Sequence, residues 1–189
     1  MRALIFLNKK MKKVFHNPKI KDKVTVLKTA EETNGDYILV EVELAAGGGV
    51  GMHYHKTFNE TFIPVDGVLG VDVRKKKLRL HQGEMVVARM NEAHRFYNPG
   101  KSTIRFNVKI APAQNRFLET LSIAYGLASD GEVNSKGVPK RFDHIAVLTA
   151  HSDTNIIGLY SFIKPILMRR AKKAIRKGVL KELQDKYCQ

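Results

Sequence analysis

Residues 47–67 read GGGVGMHYHKTFNETFIPVDG, and residues 83–98 read GEMVVARMNEAHRFYN. In the first stretch Gly47, His53, His55, Glu60 and Gly67 stand at the spacing G-x5-H-x-H-x4-E-x6-G; in the second stand Gly83, His94 and Asn98. His53 and His55 are two residues apart, so on a strand both side chains leave the same face. Glu60 follows a short turn region and returns on the next strand. His94 opens a further strand after the turn-like residues 90–92. Four such side chains on neighbouring strands of one barrel can converge on a point. Three imidazoles and a carboxylate suit Mn, Fe, Co, Ni or Zn, and leave one or two positions open for water or substrate.

The chain on either side of these stretches has the texture of a β-protein. Residues 23–29 are β-branched and alternating, and Asn34-Gly35 is a turn signal. Residues 36–44 set Ile38, Val40, Val42 and Leu44 on one face and Glu41 and Glu43 on the other, the period of a half-buried strand. Residues 61–65, 68–73, 77–80, 85–88 and 103–110 are further strand candidates, separated by Asp66-Gly67, Gln82-Gly83 and Pro99-Gly100. Short strands at this spacing argue for a sandwich or barrel. On the last strand, burial favours Ile104, Phe106, Val108 and Ile110 as the inward set, which predicts a largely apolar and aromatic pocket with few acid–base groups beyond the four ligands.

At Pro112 the period changes. Residues 113–127 read as a helix, and residues 142–150 are ambiguous between helix and strand. Ser152 or Asp153 caps a helix expected from Thr154. From Met168 a stripe of Ala171, Ile175, Val179 and Leu183 repeats at threes and fours among Arg169, Arg170, Lys172, Lys173, Arg176 and Lys177, a basic amphipathic helix.

The two quoted stretches resemble the paired motifs of the cupin superfamily. Carried over residue by residue, His53, His55, Glu60 and His94 are the metal ligands, Gly47, Gly67 and Gly83 are turn glycines, and Asn98 is the closing Asn. Fifteen residues separate Gly67 from Gly83, similar to small bacterial cupins. Arg89 stands where the family usually has Pro and Asn91 where it usually has Gly; Asn tolerates a left-handed backbone, so the turn survives the change. The resemblance implies an all-β fold, a double-stranded β-helix or jelly roll, with a helical C-terminal extension. The expected division is a basic N-terminal arm over 1–22, the cupin β-barrel over 23–112 and the helical extension over 113–189.

Composition narrows the function. The chain has 189 residues, 43% of them apolar, and a net charge of +15. Residues 1–28 contribute +8, residues 29–163 are neutral, and residues 164–189 contribute +7. A nucleic-acid-binding fold carries its basic patch on the folded body, so this neutral body predicts no nucleic-acid partner. Arg74, Lys75, Lys76, Lys77 and Arg79 read as a solvated hairpin tip. The lone cysteine, Cys188, permits no intramolecular disulfide and no cysteine-built zinc site, and suits a reducing compartment. No apolar run is long enough to span a bilayer, and the opening MRALIFLNKK has too short an apolar stretch for a signal peptide. The expectation is a soluble, cytoplasmic protein, with Met11 an alternative start.

The expected function is binding of a divalent transition metal through His53, His55, Glu60 and His94, together with a small organic ligand. A dioxygenase is the leading activity; a non-catalytic metal- and ligand-binding module and a metal-dependent isomerase are the alternatives. His16, His81, His144 and His151 have no partner at ligand spacing and read as structural or exposed. The resemblance implies a homodimer. For the basic helix, packing of its stripe on the barrel or on a second subunit is preferred to docking on an anionic membrane surface.

Overall fold

The alternation in residues 38–44 finds its face in a computed structural model that describes residues 13–158 and 160–188. The strands are β1 (Val14–Asn17), β2 (Asp22–Lys28), β3 (Ile38–Leu44), β4 (His53–Tyr54), β5 (Asn59–Asp66), β6 (Leu69–Val73), β7 (Lys76–Leu80), β8 (Val86–Ala88), β9 (His94–Tyr97), β10 (Ile104–Ala111) and β11 (Asn155–Ile156). The helices are α1 (Asn115–Ser129), α2 (Phe142–His151), α3 (Tyr160–Arg176) and α4 (Val179–Tyr187). Two antiparallel sheets form, ordered β1-β2-β3-β10-β5-β8 and β11-β4-β9-β6-β7. Among the described residues, no helix is long and apolar enough to cross a membrane.

Period-two patterning decides what lies between the sheets. Along β3 and β10 every second residue is buried, so Ile38, Val40, Val42 and Leu44 meet Ile104, Phe106, Val108 and Ile110 in one core. Phe62 and Phe106 are fully enclosed there. The inward set expected on the last strand is the one observed. Gly47, Gly67 and Gly83 all take positive φ, as their turns require, and Asn91 takes φ 62° in the left-handed region.

Helix α1 has two apolar faces. Leu118 and Tyr125 join the barrel core, whereas Ile123, Leu127 and Ala128 join a second core with Val147, Ala174, Val179 and Leu183. The extension is thereby fused to the barrel along a shared helix.

Several elements differ from expectation, each for a local reason. The sheet begins earlier than the alternating pattern. β1 pairs with β2, and Phe15 is buried, so the described part of the basic arm belongs to the barrel. Residues 1–12, including the apolar opening and the alternative start at Met11, lie outside the described residues. Residues 142–150 resolve as α2. Where a helix was expected from Thr154, Asn155 and Ile156 instead extend the second sheet by pairing with Tyr54 and His53. Of the expected basic stripe, Ala171, Val179 and Leu183 are buried. Gly178, at φ 87°, separates α3 from α4, so one continuous stripe cannot persist. On α3 the buried side chains are Leu167, Ala171 and Ala174, while Met168 and Ile175 are exposed. Small residues win that face because α2 presents Ala146 to it.

Candidate metal centre

The four candidate ligand residues come from three segments of the chain, and the two sheets bring them together. His53 on β4 stands directly opposite His94 on β9. His55 follows immediately after β4. Glu60 is the second residue of β5, in the other sheet, on the inward face it shares with Phe62. One ligand atom from each of the four lies within 4.8 Å of the rest. His55, Glu60 and His94 are buried, and His53 keeps part of its surface open. All four residues expected as ligands are therefore in the cluster. His16, His81, His144 and His151 are outside it, and His151 instead meets Glu119 at 2.9 Å.

Backbone carbonyls fix the direction of each ring. Nδ1–H of His53 donates to Gly51 O at 2.8 Å, that of His94 to Glu92 O at 2.9 Å, and that of His55 to Asp153 O at 3.3 Å. A carbonyl only accepts, so Nδ1 carries the proton in all three rings, and Nε2 is the atom left to face the centre. This outer support is what metal-ligating imidazoles require. His55 also stacks on Phe58, with ring centroids 4.2 Å apart.

The central carboxylate organises the charge. Glu60 Oε2 lies 3.0 Å from His94 Nε2 and 3.6 Å from His55 Nε2. Burial pushes the Glu60 carboxyl up, but the neighbouring imidazoles more than offset this and hold it below the usual carboxylate range. Burial also presses His94 toward neutrality, yet the hydrogen bond and charge of Glu60 outweigh it, and its pKa is raised. His53 has its pKa lowered to about 4, chiefly by burial, with Glu60 opposing. His55 Nε2 is buried with no hydrogen-bond partner. An orphaned imidazole nitrogen, two further Nε2 atoms and a carboxylate fit a divalent transition metal. His53, His55, Glu60 and His94 would hold it.

Three features escaped the sequence. Asp153, from the extension, supplies the carbonyl behind His55, and its carboxylate accepts from Lys56 N, Thr57 N and Thr57 Oγ1 at 2.7–2.8 Å. It pins the loop between the ligands from a position 98 residues away in sequence. A cavity of about 550 Å³ reaches His53, His55 and Glu60, and helix α1 forms part of its wall through Phe117, Leu121 and Tyr125. The expectation of few acid–base groups is corrected there: Asp22 and Tyr125 line the same cavity, joined by a hydrogen bond of 2.6 Å. No local spacing signals either pair. Asn98, by contrast, is a staple and not a ligand. Its amide donates to Leu44 O and Ser102 O and accepts from Gly100 N.

Residues 40–110 match the family model described as a cupin domain. No curated protein matches the chain. Among solved structures it is similar to a predicted oxalate decarboxylase from Thermotoga maritima, at 20% identity over 48% of this chain and 80% of that one, with a TM-score of 0.46. It is similar to KdgF from Halomonas sp. at 18% identity over 51% and 85%, with a TM-score of 0.47. It is also similar to the cupin domain of an XRE family transcriptional regulator from Enterobacter cloacae, at 18% identity over 50% and 99%, with a TM-score of 0.45. The matched segment spans β3 to β10 and all four clustered side chains, so this chain carries a cupin-superfamily domain.

Proposed function

We propose that the protein binds one divalent transition metal through His53, His55, Glu60 and His94, and a small organic ligand in the adjoining cavity. The observation that carries this is the convergence of four ligand atoms within 4.8 Å, with an unpartnered His55 Nε2 among them. Such a metal supplies Lewis acidity or dioxygen activation when bound. The chain's own part is to aim three Nε2 atoms, to exclude water with Phe62, Phe96 and Phe106, and to shape an apolar chamber.

Within that frame we read the activity as oxidoreductase chemistry of the dioxygenase type on a small organic substrate, in the cytoplasm, by a homodimer. The apolar walls suit a compact substrate. Oxygen uptake by the iron, manganese and nickel forms across a panel of diketones and flavonols tests the activity. Uptake on at least one supports it, and none on any contradicts it. One specific observation favours isomerase chemistry as a second reading: Asp22 and Tyr125 place a proton-exchanging pair in the same cavity. For the dimer, Phe162, Ile163 and Ile166 on α3 are exposed and are the face we assign to a second subunit. Sedimentation of the wild type and of Phe162→Ser separates paired from single chains.

A further inference from the structure

Helix α3 buries Leu167, Ala171 and Ala174 and leaves the other side chains of residues 168–177 exposed. That stretch, MRRAKKAIRK, holds six cations and no acid. Met168, Arg169, Lys172, Ile175 and Arg176 recur at spacings of three, four and seven, so they share one side of the helix, and Lys173 borders it. Met168 and Ile175, at 36% and 40% exposure, are the apolar members of that side.

Ion pairing sets this stretch apart from the rest of the extension. Arg170 is paired with Asp143, Lys181 with Asp185 and Lys186 with Asp130. Among the described residues, Arg169, Lys172, Lys173 and Arg176 form no ion pair with an acid. Arg169 and Lys173 are four residues apart, as are Lys172 and Arg176, where like charges repel along a helix. The helix dipole favours cations only in the last turn, which holds Lys173 and Arg176. Arg169 and Lys172 gain nothing from it. Helix stability alone therefore does not account for the cluster; an anionic surface laid against it would.

We propose that this side of α3 docks on a bilayer containing anionic lipid. Arg169, Lys172, Lys173 and Arg176 lie among the headgroups, and Met168 and Ile175 enter the boundary between headgroups and acyl chains. Residues 168–177 contain no aromatic, Asn or Gln with which to stack on or read a base, and a phosphate backbone offers nothing to the two apolar side chains. Both features favour lipid over nucleic acid. Phe162, Ile163 and Ile166, assigned above to a second subunit, lie in earlier turns and are not needed for docking. The inference is independent of the metal centre.

The test is co-sedimentation of the full-length protein with vesicles of phosphatidylcholine alone and of equal parts phosphatidylcholine and phosphatidylglycerol. The expected result is binding to the mixed vesicles only, weakening as salt rises. The variant Arg169→Gln/Lys172→Gln/Lys173→Gln/Arg176→Gln changes exposed side chains to another good helix former. It is expected to keep the wild-type circular dichroism and to bind about 500-fold more weakly, at about fivefold for each cation removed. Met168→Gln/Ile175→Gln is expected to bind about tenfold more weakly. No binding to the mixed vesicles, or equal binding to both kinds, overturns the proposal. So does full binding by the fourfold variant, which would place the contact elsewhere on the chain. Unchanged binding by the Met168/Ile175 variant, or displacement from the vesicles by duplex DNA or RNA at the same phosphate concentration, overturns the assignment to lipid.

Discussion

Single side chains set the character of the centre. His94 bonds a carbonyl through Nδ1 and Glu60 through Nε2, which requires protons on both nitrogens while no metal is held. Metal uptake must displace the Nε2 proton. Calorimetry in buffers of different ionisation enthalpy is therefore expected to detect proton release below the raised His94 pKa; heats independent of the buffer would contradict it. Asp22 gives a second prediction. Its ordinary value is 3.8 and its folded value about 7, so between the two the folded chain keeps a proton that the unfolded chain has lost. Stability thus falls as pH rises through that window and stays lower above it. Asp22→Asn removes this loss, and at about 1.4 kcal/mol per pH unit it stabilises by about 2–4 kcal/mol near pH 8, with little change near pH 4. Urea unfolding at the two pH values reads the difference. The four clustered residues were legible because they stand at a fixed spacing on or beside strands. Asp22 and Asp153 were not, because an isolated aspartate announces nothing until a distant segment folds over it.

Elements explain how loosely patterned segments serve the site. β11 has two residues and could not be read from alternation, yet it pairs with the strand bearing His53. Asp153, two residues before it, holds residues 56 and 57. Asp153→Ala is expected to weaken metal affinity about tenfold, as loss of outer support around ligands does, without unfolding the barrel. Competition with a chelator measures this. On α1, a Cβ at Gly126 would lie 2.1 Å from the Tyr187 ring. Gly126→Ala would gain about 1 kcal/mol of helix propensity in isolation, but overpacking costs about 1–3 kcal/mol. A lowered midpoint in thermal unfolding is the predicted net result. The contact also shows why the expected single basic helix failed: α4 turns back at Gly178 to set Tyr187 on α1. Strands such as β3, with unbroken period-two alternation, were recovered nearly to their ends.

At the scale of the whole molecule, barrel and extension depend on each other. Tyr125 and Leu118 belong to the barrel core although they come from α1, and Asp153 reaches the ligand loop from beyond α2. A chain truncated after residue 112 is expected to lose both structure and metal, as followed by circular dichroism and elemental analysis. A folded, metal-loaded fragment would show that the extension is dispensable. The charge distribution agrees with this division of labour. The net charge of residues 29–163 is zero, and the excess lies toward the two ends. The most direct test of the account is metal content per chain, after purification without chelators or a metal-affinity step, in the wild type and in His53→Ala, His55→Ala, Glu60→Ala and His94→Ala. The account predicts close to one transition-metal ion per wild-type chain and a large loss in every folded single variant. Unchanged metal content across the four variants, or a wild type that holds none, would contradict it.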